Sequence, residues 1–423
     1  MNVLPQNRPQ NMDALLQIVT HPAGKTPPVR DVPKTEPVRP ETRNLQPLKP
    51  APGRPLPKWL IPGIAVAVAV IALIISVGSG GNKSTPASSV KAPAAQTVAT
   101  EPAPTAPMEV HTMAAVDYAF DEDTFFWGQE RYMRKDVKTL TFQSSLQNVP
   151  SSAWDVSEAG DGSVLAWMDN GDLYVAADGA IAPNSNASWL FYKFVNLKTI
   201  NFGNCFVTSS VTQMSDMFEG CSSLISLDLS GFDTSSVTGM YAMFFGCSNL
   251  ISLDLTGFDT SCVTTMASMF SGCSSLTALD LASFDTSSVT TMESMFSGCS
   301  SLTTLDLTSF GTSNVTTMES MFYECKSLVS LNLTNFDTSS VTRMDFMFEK
   351  CNSLTSLDLS SFDTSNVTYM NWMFSWCSSL TSLNLSRFDA SAVAGMYSMF
   401  YGCDNLPNII CSDSKILNEF RNR

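Results

Sequence analysis

LTALDLASFDTSSVTTMESMFSGCSS, residues 276–301, is one copy of a unit that recurs without insertion or deletion. Its cysteine, Cys299, belongs to a series spaced 26 residues apart: Cys221, Cys247, Cys273, Cys299, Cys325, Cys351, Cys377 and Cys403. A period held over half of the chain means one supersecondary unit copied and stacked, since no copy can bury its apolar face alone. Such a solenoid offers a long ordered surface and rarely a catalytic pocket.

Within the copy, Leu276, Leu279 and Leu281 give an L-x-x-L-x-L run. This is the leucine-rich-repeat pattern, a short strand with its leucines inward and the residues between them outward. Phe284 returns to the core. Asp285, Thr286, Ser287 and Ser288 form a run of capping and turn residues. Val289, Met292, Met295 and Phe296 then fall at roughly helical spacing, which predicts a short helix or turn with one face inward. Gly298 sits where a helix end takes a left-handed residue. In three copies Glu324, Lys350 and Trp376 replace that glycine, which puts the left-handed cap in question there. The methionines are read as core filler.

The net charge of −15 is uneven. Residues 1–59 carry nine Lys/Arg against four Asp/Glu, so the remainder holds the acid. An acidic body argues against nucleic acid, whose phosphates select Lys and Arg. The two histidines, His21 and His111, lie outside the repeats, which leaves the array without common catalytic or zinc constellations. Neither an enzyme nor a cofactor protein is expected.

Residues 60–77, LIPGIAVAVAVIALIISV, carry no charge and just suffice to span a bilayer, with Trp59 at one border. Lys49, Arg54 and Lys58 precede the segment and Lys83 alone follows closely, so the positive-inside rule places the N-terminus in the cytoplasm. The expected organisation is a disordered Pro-rich cytoplasmic tail (1–59), a signal-anchor helix (60–78) and a flexible linker (79–115). An aromatic N-terminal cap (116–195), a leucine-rich solenoid (196–411) and a C-terminal tail (412–423) follow. Within the cap, SVLAWMDNGDLYV reads as a hairpin turning at Asn170-Gly171. The fold class is an α/β repeat solenoid, with short parallel strands on one face and short helices or turns on the other, plus one transmembrane helix.

The run F-x-x-C-x-x-L-x-x-L-x-L, joined by FDTS-x-V-T-x-M-x-x-MF, resembles the BspA-type leucine-rich repeat surface proteins of bacteria. It is similar in particular to the 26-residue version also found in mycoplasma lipoproteins. The likeness covers residues 197–411, and GDGSVLAW and NGDLYVAADG resemble the segment that often precedes such repeats. It implies a secreted or anchored surface protein that binds host or microbial partners, and it implies no particular ligand.

Three sets of residues are candidates for chemistry. The eight-cysteine ladder is either a disulfide framework or a column of packed thiols, and side-by-side geometry suits bridges poorly. Cys262 stands apart, at a turn position held by serine elsewhere. Asp228, Asp254, Asp280, Asp306 and Asp358 recur on the outward strand face, with Asn332 and Asn384 at the same position in two further copies. Stacked carboxylates raise one another's pKa, and cations or a basic ligand would relieve them. A second ladder, Asp233, Asp259, Asp285, Asp337, Asp363 and Asp389, precedes the helical-spaced segment and reads as helix capping. Phe245, Tyr323, Trp372, Trp376 and Tyr401 break the repeat and are candidate partner contacts. The function read from all this is a single-pass type II membrane protein with its repeats outside, binding protein or polysaccharide partners in adhesion or recognition. The alternative is an envelope-internal scaffold binding wall polymers or neighbouring membrane proteins.

Overall fold

The computed structural model describes residues 108–116 and 123–423. The tail at 1–59, the span at 60–78 and the linker up to 107 lie outside the described residues. Among the described residues no helix is long and apolar enough to cross a membrane.

Ordered chain begins earlier than composition suggests. β1 (Val110–Thr112), inside the stretch read as linker, pairs in parallel with β6 (Ala180–Ala182). A five-stranded sheet follows, in the order β3 (Trp154–Asp155), β4 (Leu165–Asp169), β5 (Asp172–Ala176), β2 (Thr139–Gln143), β7 (Thr199–Asn201). β4 and β5 are the arms of the Asn170-Gly171 hairpin, with φ of 52° and 100° at the turn. Trp167 and Tyr174 stack across the pair at 5.2 Å. β7 is the leucine strand of the first coil, so this sheet runs directly into the array.

The aperiodic cap conceals a further coil. The amides of Ala187, Trp189, Phe191 and Lys193 donate to the carbonyls of Gln213, Ser215, Met217 and Glu219, the bonding that joins every later pair of coils. Leu190-Phe191-x-x-Phe194-x-x-Leu197 carries the signature, with Phe194 where later copies have cysteine. The cap closes this leading edge with side-chain donors. Trp127 Nε1 reaches the Leu190 carbonyl at 3.1 Å, and the buried Arg134 reaches that of Tyr192 at 2.8 Å.

The segment read as a short helix is a chain of turns. In the coil quoted first, the N–H groups of Ser294, Phe296 and Gly298 donate to Glu319, Met321 and Tyr323 of the next coil. Those of Met295, Ser297 and Cys299 fold back onto carbonyls three residues earlier. Ser294 and Gly298 both have left-handed backbones, φ 55° and 71°, which interrupts a right-handed helix each turn. Inward positions at i, i+3, i+4 and i+7 are common to both conformations, and bonding to the adjacent coil selects the turns. Glu324, Lys350 and Trp376 keep the left-handed conformation, φ 57°, 60° and 60°. The cap questioned from sequence is therefore present in those coils, held by the neighbouring rungs.

The continuous parallel ladder lies on this turn side, through Gln213, Gly239, Thr265, Thr291, Thr317, Arg343, Tyr369 and Gly395. On the leucine side regular strand forms at β7 and at the paired β8 (Ser356–Asp358) and β9 (Ser382–Asn384). The middle rungs there are joined by single bonds such as Thr277 N–H to the Ile251 carbonyl, 3.3 Å. One core runs through all coils. At its centre Phe218, Phe244, Phe270, Phe296, Phe322, Phe348, Phe374 and Phe400 stack face to face, centroids 5.5–5.8 Å apart.

The stretch 412–423 is not a loose tail. α1 (Ser414–Arg421) is capped by Asp413, whose carboxylate accepts from Lys415 and Ile416 N–H. Ile416 is buried, and Phe420 meets the last stacked ring, Phe400, edge-on at 5.3 Å. The trailing end of the core is thus covered as well.

Candidate functional site

The cysteine ladder forms no bridges. Cys221, Cys247, Cys273, Cys299, Cys325, Cys351, Cys377 and Cys403 are free and fully buried. Each Sγ lies 3.0–3.2 Å from a phenylalanine carbonyl of the preceding coil, Phe191 for Cys221 and Phe374 for Cys403. Burial pushes the thiols of Cys221, Cys273 and Cys325 up to about 12, so they stay protonated and unreactive. They are small core side chains that tie successive coils. Cys262 is exposed.

The expected mutual repulsion of the leucine-face aspartates is present but minor: hydrogen bonds from Thr256 pull Asp254 down by more than the Asp228 charge pushes it up. Asp228 Oδ1 accepts from the N–H and hydroxyl of Ser230, at 3.0 and 2.7 Å, and Asp254 accepts likewise from Thr256. These hydrogen bonds hold Asp228, Asp254, Asp306 and Asp358 below the usual carboxylate range. A local turn therefore outweighs repulsion between solvated charges. Asp280 makes the same turn with Ala282 N–H, and Asn332 and Asn384 do so with Thr334 and Ser386. A shallow groove of about 500 Å³ runs past Asp254, Asp280, Thr304 and Asp306. Among the described residues no group of three or more His, Cys, Asp or Glu is arranged to hold a metal ion.

The FDTS aspartates cap no helix, because none follows. Asp233, Asp259 and Asp337 bind the N–H and hydroxyl of the serine two residues on. The residue that matters more is the adjacent threonine. Thr234, buried, donates its hydroxyl to the Asp259 carbonyl at 2.9 Å and accepts that residue's N–H at 2.9 Å. Thr208, Thr260, Thr286, Thr312, Thr338 and Thr364 likewise donate to the next coil. Sequence reading took these threonines as turn formers. Their recurrence in every copy but the last, where Ala390 stands, was the available signal.

The five aromatic candidates separate. Phe245 is exposed and lies in an early coil. Tyr323 has its ring covered by Lys350, whose Nζ is 4.9 Å from the centroid and 2.7 Å from both the Tyr323 hydroxyl and Glu324 Oε1. Trp372, Trp376 and Tyr401 converge, and the structure adds Tyr397, which sequence reading missed. Tyr401 stands edge-on to both indoles, at 6.3 Å from Trp372 and 5.2 Å from Trp376, and Tyr397 edge-on to Trp372 at 6.2 Å. Trp376 is 43% exposed, Tyr401 49% and Tyr397 59%. These rings occupy the turn side of the last two coils, where the third coil, 266–273, reads MASMFSGC.

Beside them lies a compact ionic network. Arg343 bonds Glu319 at 3.0 Å and Asp345 at 3.1 Å, and its guanidinium covers Tyr369. Asp345 is buried and also accepts from Asn371 Nδ2 at 2.7 Å. Burial raises Glu319 to about 7 against the opposing pull of Arg343. The arrangement can position and stack a partner. It brings together no nucleophile with a base.

Among curated proteins none matches the chain. A leucine-rich repeat protein from Bacteroides ovatus is 17% identical, with 70% of this chain and 92% of that one covered and a TM-score of 0.23. A leucine rich cell surface protein from Faecalibacterium prausnitzii is 18% identical, with 64% and 97% covered and a TM-score of 0.19. A family model matches residues 185–305, 243–331 and 329–414, together more than half of the chain. The chain belongs to that family, described as Mycoplasma protein of unknown function, DUF285, and is a BspA-like leucine-rich repeat protein.

Proposed function

We propose that the protein is a membrane-anchored surface module whose coils recognise a partner outside the cytoplasm. The observation that carries this reading is the distribution of departures from the repeat. Core positions hardly vary, whereas aromatic and cationic exceptions gather on the turn side of the later coils. Of the five Lys/Arg in residues 196–411, Lys350 lies over the Tyr323 ring and Arg343 over the Tyr369 ring, and Lys326 pairs with Glu324. A rigid stack holds such exceptions at fixed spacing, which lowers the ordering cost of binding. Anchoring rests on the uncharged stretch 60–77 and on Lys49, Arg54 and Lys58 ahead of it, which put the N-terminus inside and the coils outside.

The second reading, a scaffold within the envelope, draws support from the short sequence between residue 78 and β1. Thirty or so residues reach only about 30 Å as a random coil. Protease shaving of intact cells tests the two. Loss of the array places it at the surface, and full protection places it within the envelope. An array that fractionates with the cytoplasm would remove both.

A further inference from the structure

We propose that the ring cluster of Trp372, Trp376, Tyr397 and Tyr401 is a stacking site for a neutral saccharide. The inference rests on the recognition reading above and names the ligand class.

Four observations lead there. First, the rings are held before any ligand arrives. A Cβ on Gly402 would come within 2.8 Å of the Trp376 ring, so the indole lies against backbone that only glycine leaves open. Tyr401 braces it edge-on at 5.2 Å. Trp372 and Trp376 also sit on left-handed backbones, φ 59° and 60°, fixed by amide bonds to the Tyr397 and Tyr401 carbonyls. Rigid aromatic surface of this kind stacks on the apolar face of a sugar ring at low entropic cost.

Second, the surroundings are electrically spent. Arg343 is held by Glu319 and Asp345, and Lys350 by Glu324. Neither side chain is free to pair with an anionic polymer.

Third, a buried polar group in the same coil is without a partner among the described residues. Ser375, between the two tryptophans in sequence, is fully buried, and its hydroxyl has no hydrogen-bond partner among the described residues. Its equivalents in the first and third coils are Glu219 and Ser271. A buried hydroxyl without a partner is costly, so a slight opening of this coil that admits a ligand hydroxyl or a bridging water would be favoured.

Fourth, the patch is small. It spans two adjacent coils, set about 4.8 Å apart, which suits one or two sugar rings.

The test titrates the full-length protein with cellohexaose, maltohexaose and chitohexaose, following tryptophan fluorescence and saturation-transfer NMR. Saturable binding to at least one is expected. Trp376→Ala and Tyr401→Ala should each weaken it roughly tenfold or more, while Thr303→Ala on the leucine face leaves it unchanged. Thiol reactivity equal to that of the parent certifies that each variant is folded. No saturable binding to any of the three overturns the inference, as does binding indifferent to both ring deletions in folded variants. Trp376-dependent enrichment of peptides from a displayed library, without sugar binding, overturns the saccharide and leaves the recognition reading standing. Absence of both removes both.

Discussion

Left-handed backbone at residues other than glycine recurs in every coil: Asp216, Ala242, Ser268, Ser294, Ser320, Phe346, Trp372 and Ser398 have φ of 49–59°. Each such residue costs on the order of 1 kcal/mol, offset in all but Ser398 by its N–H bond to a carbonyl of the next coil. Ser294→Gly should therefore stabilise by up to ~1 kcal/mol and Gly298→Ala destabilise by about as much, in urea-unfolding midpoints. The threonine column gives the opposite case. Thr286→Val removes a buried hydroxyl bonded to the Gly311 carbonyl at 3.0 Å and should cost about 1–3 kcal/mol. Titration supplies a third. Glu319, raised by burial to about 7 from an ordinary 4.5, favours its protonated form in the folded state. Its contribution is complete below pH 4.5 and is lost as pH rises through 7. The turn aspartates, including Asp228 and Asp233, are shifted down, and their contribution is lost as pH falls below the usual carboxylate range. The unfolding temperature should thus peak between about pH 4 and 5 and decline toward pH 8. Glu319→Gln should flatten the alkaline decline, and an unfolding temperature that rises steadily from pH 5 to 8 would refute the assignment.

At the scale of elements, the two ends of the stack are closed by different means. The leading edge is sealed by Trp127 and Arg134, whose side chains satisfy carbonyls that no earlier coil can reach. Burial of Arg134 lowers its pKa to about 10, yet it stays charged at neutral pH. Arg134→Met should leave the Tyr192 carbonyl without its donor and cost about 1–3 kcal/mol, read as faster amide exchange across residues 187–193 before the later coils. Much of this level was legible in the sequence. The period of Cys221 to Cys403 gave coil length and register, and Asn170-Gly171 gave the hairpin. The turns of MESMFSGC were hidden because helix and turn chain share an inward pattern, so that only bonding to the next coil distinguishes them. Phe191 was hidden because its coil is one residue longer and has Phe194 in place of cysteine. The ring cluster was legible one coil at a time. Tyr397 joined it only when the stack set it beside Trp372.

The whole described body is one stack whose identity lies in repetition and whose specificity lies in exceptions. A single core threads all coils, with a phenylalanine column, a thiol column and a threonine column running its length. The thiols report on that core directly, since all eleven cysteines of the chain lie in the described region and none is bridged. The decisive measurement is thiol counting on the full-length protein with a maleimide, without reductant, in buffer and then in denaturant. Stacked coils predict that exposed Cys262 reacts at once, Cys411 slowly, and the nine buried thiols only on unfolding, to a total of eleven. Fewer than eleven in denaturant, or prompt reaction of Cys273 and Cys299 in buffer, would contradict the shared core and the surface built on it.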